Sequence, residues 1–138
     1  MALSAAAAVN LVWARLVGHH PDPWTRIFAA HLDPWAYLLF VSQASLVSPI
    51  AEETLFQGLL CAGLSQRMPP VLAGIVSATL FGLGHLNPWG LPSYITLGLV
   101  LAWVYYRTRN IWASITTHAV INLVILSLHY AAQANHSG

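Results

Sequence analysis

The chain has 138 residues, 57% of them hydrophobic and 7% charged, with five Arg, no Lys and four acidic side chains for a net charge of +1. An ordinary soluble domain carries about 25% charged residues, so this chain cannot wrap its apolar surface in a solvated shell, and the bilayer is its expected solvent. No basic cluster exists to neutralise phosphates, which excludes a nucleic-acid binder, and the apolar content excludes a disordered chain. Cys61 is the single cysteine, which excludes an intramolecular disulfide or a cysteine-based zinc site.

In chain order, the alanines Ala5 to Ala8 have no basic region before them and the first charge is Arg15, so the start does not read as a secretory signal. Met1 to Val17 lies at the lower limit of the roughly 17 to 25 residues that a span needs and is interrupted by Asn10 and Arg15. A short span and an interfacial helix are both open readings. Gly18 to Pro34 gathers Pro21, Pro23, Pro34, Asp22, Asp33, Arg26 and three His, the composition of an exposed connection. Residues 1–34 therefore form an N-terminal unit, and residues 35–138 a helical domain.

Four apolar stretches come next: Trp35 to Gln66, Pro69 to Leu86, Leu91 to Tyr106 and Ile111 to Ala132. The first is longer than one crossing needs, and a kink is expected at Pro49. The Pro69-Pro70 pair suits the first turn of the second. The expected fold is all-α, a polytopic membrane helix bundle with four core spans and residues 1–17 as a fifth span or an interfacial helix. Arg67, Arg107 and Arg109 fall in the first and third loops, while the Asn87 to Pro92 loop carries no charge. The positive-inside rule places the arginine loops in the cytoplasm, with Trp35 and Trp89 at the outer interface and Tyr105, Tyr106 and Trp112 at the inner one.

Polar residues enter these spans in a few places. Glu52 and Glu53 stand side by side deep in the first stretch. A carboxylate near the bilayer centre costs roughly 3 kcal/mol on insertion scales, so such groups face a cavity or a partner and are functional candidates. His85 closes the second stretch after Gly82 and Gly84, with Phe81 one turn earlier to restrict its ring. His118 and Asn122 are four residues apart in the fourth stretch and so share one helix face. Alone, such a pair reads as an interhelical hydrogen bond worth about 0.6 kcal/mol; beside the glutamates, it reads as part of one site. His85 falls near the outer end of its span and His118, eight residues after Asn110, near the inner end of its own, so straight helices of equal depth do not bring them together. His19, His20, His31, His129 and His136 read as solvated or interfacial.

The order Glu-Glu, Phe-x-x-x-His and His-x-x-x-Asn, each in its own apolar segment, resembles the CAAX protease and bacteriocin-processing (CPBP, or abortive-infection) family of intramembrane endopeptidases over roughly Ser48 to Asn122. The resemblance implies peptide-bond hydrolysis at the membrane by glutamate-activated water. Glu52 is the implied base, His85 helps hold the water, His118 and Asn122 offer donors to the oxyanion, and Glu53 supports the first carboxylate. It implies no cofactor, although two His and a carboxylate are a donor set that zinc accepts. The implied partners are a membrane-associated peptide or protein substrate and the lipid bilayer, and the implied location is the bacterial inner membrane. Gln57 stands where the family usually has Arg; it can donate hydrogen bonds but cannot pair as a cation. The chain is also short for the family, which usually has more spans before the first motif. Two other readings remain: a non-catalytic membrane scaffold or immunity protein of the same fold, in which the missing Arg marks lost activity, and a cation- or proton-coupled transport element.

Overall fold

A computed structural model describes residues 2–18 and 33–134. The expected connection at 19–32, with His19, His20 and His31, lies outside the described residues, as does His136. The described residues form five helices and no strands. Helix α1 is Ala2–Val17. Helix α2 runs without a break over residues 34–64, α3 is Pro70–Gly84, α4 is Leu91–Thr108 and α5 is Ile111–Ala134.

The helix starts are set by local chemistry. Asp33 caps α2, its Oδ1 accepting from the backbone N–H of Trp35 at 2.8 Å and of Ala36 at 3.2 Å, and Pro34 occupies the first turn, where no N–H is needed. Pro70 and Pro92 occupy the first turns of α3 and α4 in the same way. Asn110 caps α5 through a 2.9 Å bond from the N–H of Trp112.

At Pro49 the helical hydrogen bonding changes type. The helix passes through it, but two wider π-helical stretches, Gln43–Val47 and Thr54–Cys61, flank the α-helical segment Ser48–Glu53. Each π turn inserts an extra residue and rotates the helix beyond it, and such turns recur at functional sites. Here they bracket the segment that carries both glutamates.

Packing inverts the soluble pattern. The described core is made of small and polar side chains as much as large apolar ones: Ala73, Ala78, Ser77, Ser114, Gln57, Glu53 and His118 are buried, whereas Val71, Leu39, Leu59, Trp103 and Leu128 are exposed. Close approach between α3 and α4 depends on glycine. A Cβ on Gly98 would sit 2.9 Å from Ala78 Cα, and one on Gly82 would sit 2.6 Å from Ile95 Cγ1. Helix α1 docks on the outer part of this pair, with Trp13 Nε1 donating to Pro88 O at 2.8 Å and Ser93 Oγ to Asn10 Oδ1 at 3.0 Å. Among the described helices, one stretch, Ile111–Ala131, is long and apolar enough to cross a bilayer. Helix α3 has 15 residues, about 22 Å, less than the roughly 30 Å hydrocarbon core. Length alone therefore does not establish the four crossings expected from the sequence.

Because the obstacle at Gly98 is backbone, Gly98→Val should force α3 and α4 apart and lower thermal stability in detergent by about 1–3 kcal/mol. Gly63, whose added Cβ meets nothing within 4 Å, is the control: Gly63→Ala should leave the melting midpoint unchanged or higher.

Candidate functional site

Helices α2 and α5 lie side by side and antiparallel, and their facing residues build the site. Glu53 is fully buried. Its Oε2 accepts from Ser114 Oγ at 2.5 Å and its Oε1 lies 3.0 Å from His118 Nδ1. Ser114 and His118 are one turn apart on α5, so one helix face supplies both partners. Leu101 O is a second acceptor for the Ser114 hydroxyl, at 3.2 Å.

A carboxylate accepts only, so His118 presents Nδ1–H to Glu53 and turns Nε2 the other way. That nitrogen lies 3.9 Å from Glu52 Oε2. The gap is too long for a hydrogen bond. Glu52 Oε1 is held from one turn back by Ser48 Oγ at 2.5 Å, while Oε2 is shielded and has no hydrogen-bond partner. Two adjacent carboxylates thus sit on either side of one imidazole, Glu53 enclosed and Glu52 with a side chain 26% exposed.

Asn122, one turn beyond His118, donates through Nδ2 to Ala44 O at 2.8 Å, which leaves the second amide hydrogen for another acceptor. His85 reaches the group through an aromatic spacer. Its ring centroid is 4.6 Å from that of Phe81, which is 5.7 Å from that of His118. Phe81 O can only accept, so the 2.8 Å contact with His85 Nδ1 makes that nitrogen the donor. Tyr94 stacks on the other side of the His85 ring at 4.1 Å and 20°. The loop that brings them together turns through Leu86, at φ 51°, with Asn87 Oδ1 accepting from the N–H of Trp89 and of Gly90. Phe81 thus stands between His85 and His118, and among the described residues no hydrogen bond or ring contact joins His85 directly to Glu52, Glu53, His118 or Asn122.

Gln57, at the position of the usual family Arg, is fully buried, and neither of its side-chain polar atoms has a hydrogen-bond partner. Among the described residues no group of three His, Cys, Asp or Glu is gathered so as to hold a metal ion, so the residues do not fit the zinc site that the donor types allow. An open groove of about 600 Å³ runs along α5 between Asn110 and Ile121 and contains none of these residues. Ser48 and Ser114 are the members that sequence reasoning passed over; the available signal was a serine one turn before Glu52 and one turn before His118.

An all-helical chain with this glutamate and histidine arrangement finds its relatives among membrane proteases. The family model described as type II CAAX prenyl endopeptidase Rce1-like matches residues 34–124. The chain belongs to this family, within the CPBP proteases that the motifs resemble. A Bacillus subtilis (strain 168) protein, YdiL, named as a candidate membrane peptidase, is 29% identical over 98 residues, covering 71% of this chain and 40% of that protein. The chain therefore spans less than half the length of that relative. No solved structure matches it.

Removing the hydroxyl in Ser114→Ala leaves Glu53 Oε2 in a dry site without its donor, and should cost about 1–3 kcal/mol of stability in chemical unfolding. Gln57→Met, which replaces an unpaired buried amide by an apolar chain of similar length, should hold or raise the unfolding midpoint. A fall of more than about 1 kcal/mol, the worth of an ordinary hydrogen bond, would show that the amide has partners in the working protein.

Proposed function

We propose that the chain is an intramembrane endopeptidase that hydrolyses a peptide bond of a membrane-associated substrate with water activated by Glu52. The observation that carries this reading is the pairing of Glu52 Oε2 with His118 Nε2, 3.9 Å apart, a carboxylate oxygen with no hydrogen-bond partner facing an imidazole held from behind by buried Glu53. Glu52 takes a proton from water, and the hydroxide oxygen bonds to the scissile carbonyl carbon as the carbonyl electrons move onto oxygen. His118, donating from Nε2 as imidazolium with Glu53 to balance its charge, and the second amide hydrogen of Asn122 then stabilise that oxyanion. Collapse breaks the C–N bond, and Glu52 returns the proton to the leaving amine. His85, whose ring is separated from this pair by Phe81, makes no direct contact with it and takes its place in the site only through that ring.

The bilayer setting is supported by the inverted packing: large apolar side chains are exposed on every described helix, while Glu53, Gln57, Ser77, Ser114 and His118 are buried. On this reading residues 35–138 form the peptidase-like domain with four spans, residues 1–34 an N-terminal unit with an exposed connection, and the inner membrane of a bacterium the location. Arg67, Arg107 and Arg109 then mark the cytoplasmic end, and the 85–90 loop with the docked α1 marks the outer end.

The test is cleavage by the purified chain in detergent of a farnesylated Cys-aliphatic-aliphatic-X peptide and of an unmodified peptide library, with products read by mass spectrometry. Wild type should yield new termini; Glu52→Gln and His118→Ala should lower kcat by about 10²- to 10³-fold while folding normally. Identical products from wild type and Glu52→Gln would overturn the proposal, and absence of product from all forms would favour a scaffold.

A further inference from the structure

The π turn before the glutamates has a main-chain consequence that involves Asn122. In an α-helix Ala44 O would accept from the N–H of Ser48, but that N–H bonds to Gln43 O instead, the wider π register. In that register the next donor, for Ala44 O, is residue 49. Residue 49 is proline and has no N–H. Ala44 O is left in a mostly buried helix interface without a main-chain donor, a condition that buried backbone groups rarely tolerate. The side chain that satisfies it is Asn122, from the opposite helix at 2.8 Å.

We infer that Asn122 is a positioning residue as well as an oxyanion donor: its amide replaces the N–H that Pro49 deletes, and so holds open the π turn that orients Ser48 and Glu52 toward His118. The connection runs along two ladders. Ala44, Ser48 and Glu52 succeed one another at four-residue steps on α2, as Ser114, His118 and Asn122 do on α5. Asn122 to Ala44 forms one rung and His118 with Glu52 and Glu53 the next. Without the first rung, the π turn has an unpaired carbonyl at Ala44 and loses its advantage over α register, in which Ala44 O takes the Ser48 N–H and the donor missing at Pro49 falls to Ser45 O instead. Rewinding moves Ser48 and its hydrogen bond to Glu52 around the helix axis by about a quarter of a turn. Asn suits the task because one planar amide carries two N–H donors, one for Ala44 O and one for substrate.

The inference rests on the peptidase reading only in its second measurement. In the first, the chain labelled with carbonyl-¹³C alanine and ¹⁵N serine is observed in detergent by NMR that correlates each amide with the preceding carbonyl. The sequence contains two Ala-Ser pairs, Ala44-Ser45 and Ala113-Ser114, so two peaks are expected. Ala113 O accepts from Thr117 Oγ1 and is the internal control. Asn122→Ala should move the Ala44 carbonyl upfield, as loss of a hydrogen bond does, and leave Ala113 in place. Pro49→Ala supplies the missing N–H, so adding Asn122→Ala to it should leave the Ala44 peak where Pro49→Ala alone puts it. If the single Asn122→Ala variant does not fold, the comparison of Pro49→Ala with the double variant decides. An unmoved Ala44 peak in Asn122→Ala, or a shifted peak or lost fold in the double variant, overturns the inference.

The second measurement is kcat on whichever peptide the wild type cleaves. The loss caused by Asn122→Ala should be smaller by roughly tenfold or more in the Pro49→Ala background, because only the oxyanion contribution then remains. Equal losses in both backgrounds would assign Asn122 to substrate alone. Failure of wild type to cleave any probe would sink the peptidase reading while leaving the carbonyl result to judge the positioning role.

Discussion

The buried carboxylate of Glu53 is the constraint on which the rest of the arrangement depends. A charge enclosed in protein is tolerated only where partners and hydrogen bonds replace water, and here both come from α5, through Ser114 and His118. That requirement sets α2 and α5 antiparallel and fixes their register to within a residue. The register in turn brings Asn122 opposite Ala44, so one electrostatic demand aligns three turns of helix. Loss of either partner would leave the carboxylate oxygen it serves without a donor, the costly case for a buried polar group.

A bilayer supplies no hydrophobic force between helices, because lipid is as apolar as leucine. Such helices are held together by close backbone contact and internal polar bonding, and the two are divided between helix pairs here. Helices α3 and α4 meet through Gly98 on Ala78 and through Gly82 under Ile95. Helices α2 and α5 meet through the carboxylate, hydroxyl, imidazole and amide contacts. The first pair forms a rigid wall, and from it Phe81 and His85 project toward the second. Phe81 contacts Phe56, His85 and His118, so the wall meets the polar seam through one ring.

Much of this was legible in the sequence because polar residues in apolar stretches are costly and therefore informative. Glu52, Glu53, His118 and Asn122 stood out for that reason, and proline and arginine punctuation located α2 to α5 to within a few residues. Serine did not stand out, since a hydroxyl is cheap in a helix, where it can bond back to its own backbone; Ser48 and Ser114 acquire meaning only from the groups that face them. Pro49 was legible as an interruption, but its form was not. The two π stretches that flank it are accompanied by a hydrogen bond from Asn122 on another helix to Ala44 O, and that donor lies 73 positions beyond Pro49 in the chain. The same non-local logic hid the role of Phe81, whose ring contacts both His85 and His118.

The two glutamates show how little local sequence decides chemical role. Residues 52 and 53 are identical and adjacent, so composition and burial propensity cannot distinguish them. A helix separates neighbours by about 100°, and with the segment held between two π turns, that rotation sends Glu53 into the α2–α5 seam and leaves Glu52 at its edge. Glu53 meets two donors and loses access to water; Glu52 meets one, Ser48, and keeps an oxygen with nothing bonded to it. The enclosed residue is thereby committed to fixing His118, and the residue at the edge has an acceptor to offer. Reversing their order in the chain would change neither composition nor hydropathy. One carboxylate is enclosed between two donors and the other keeps an unbonded oxygen because of where that rotation points them.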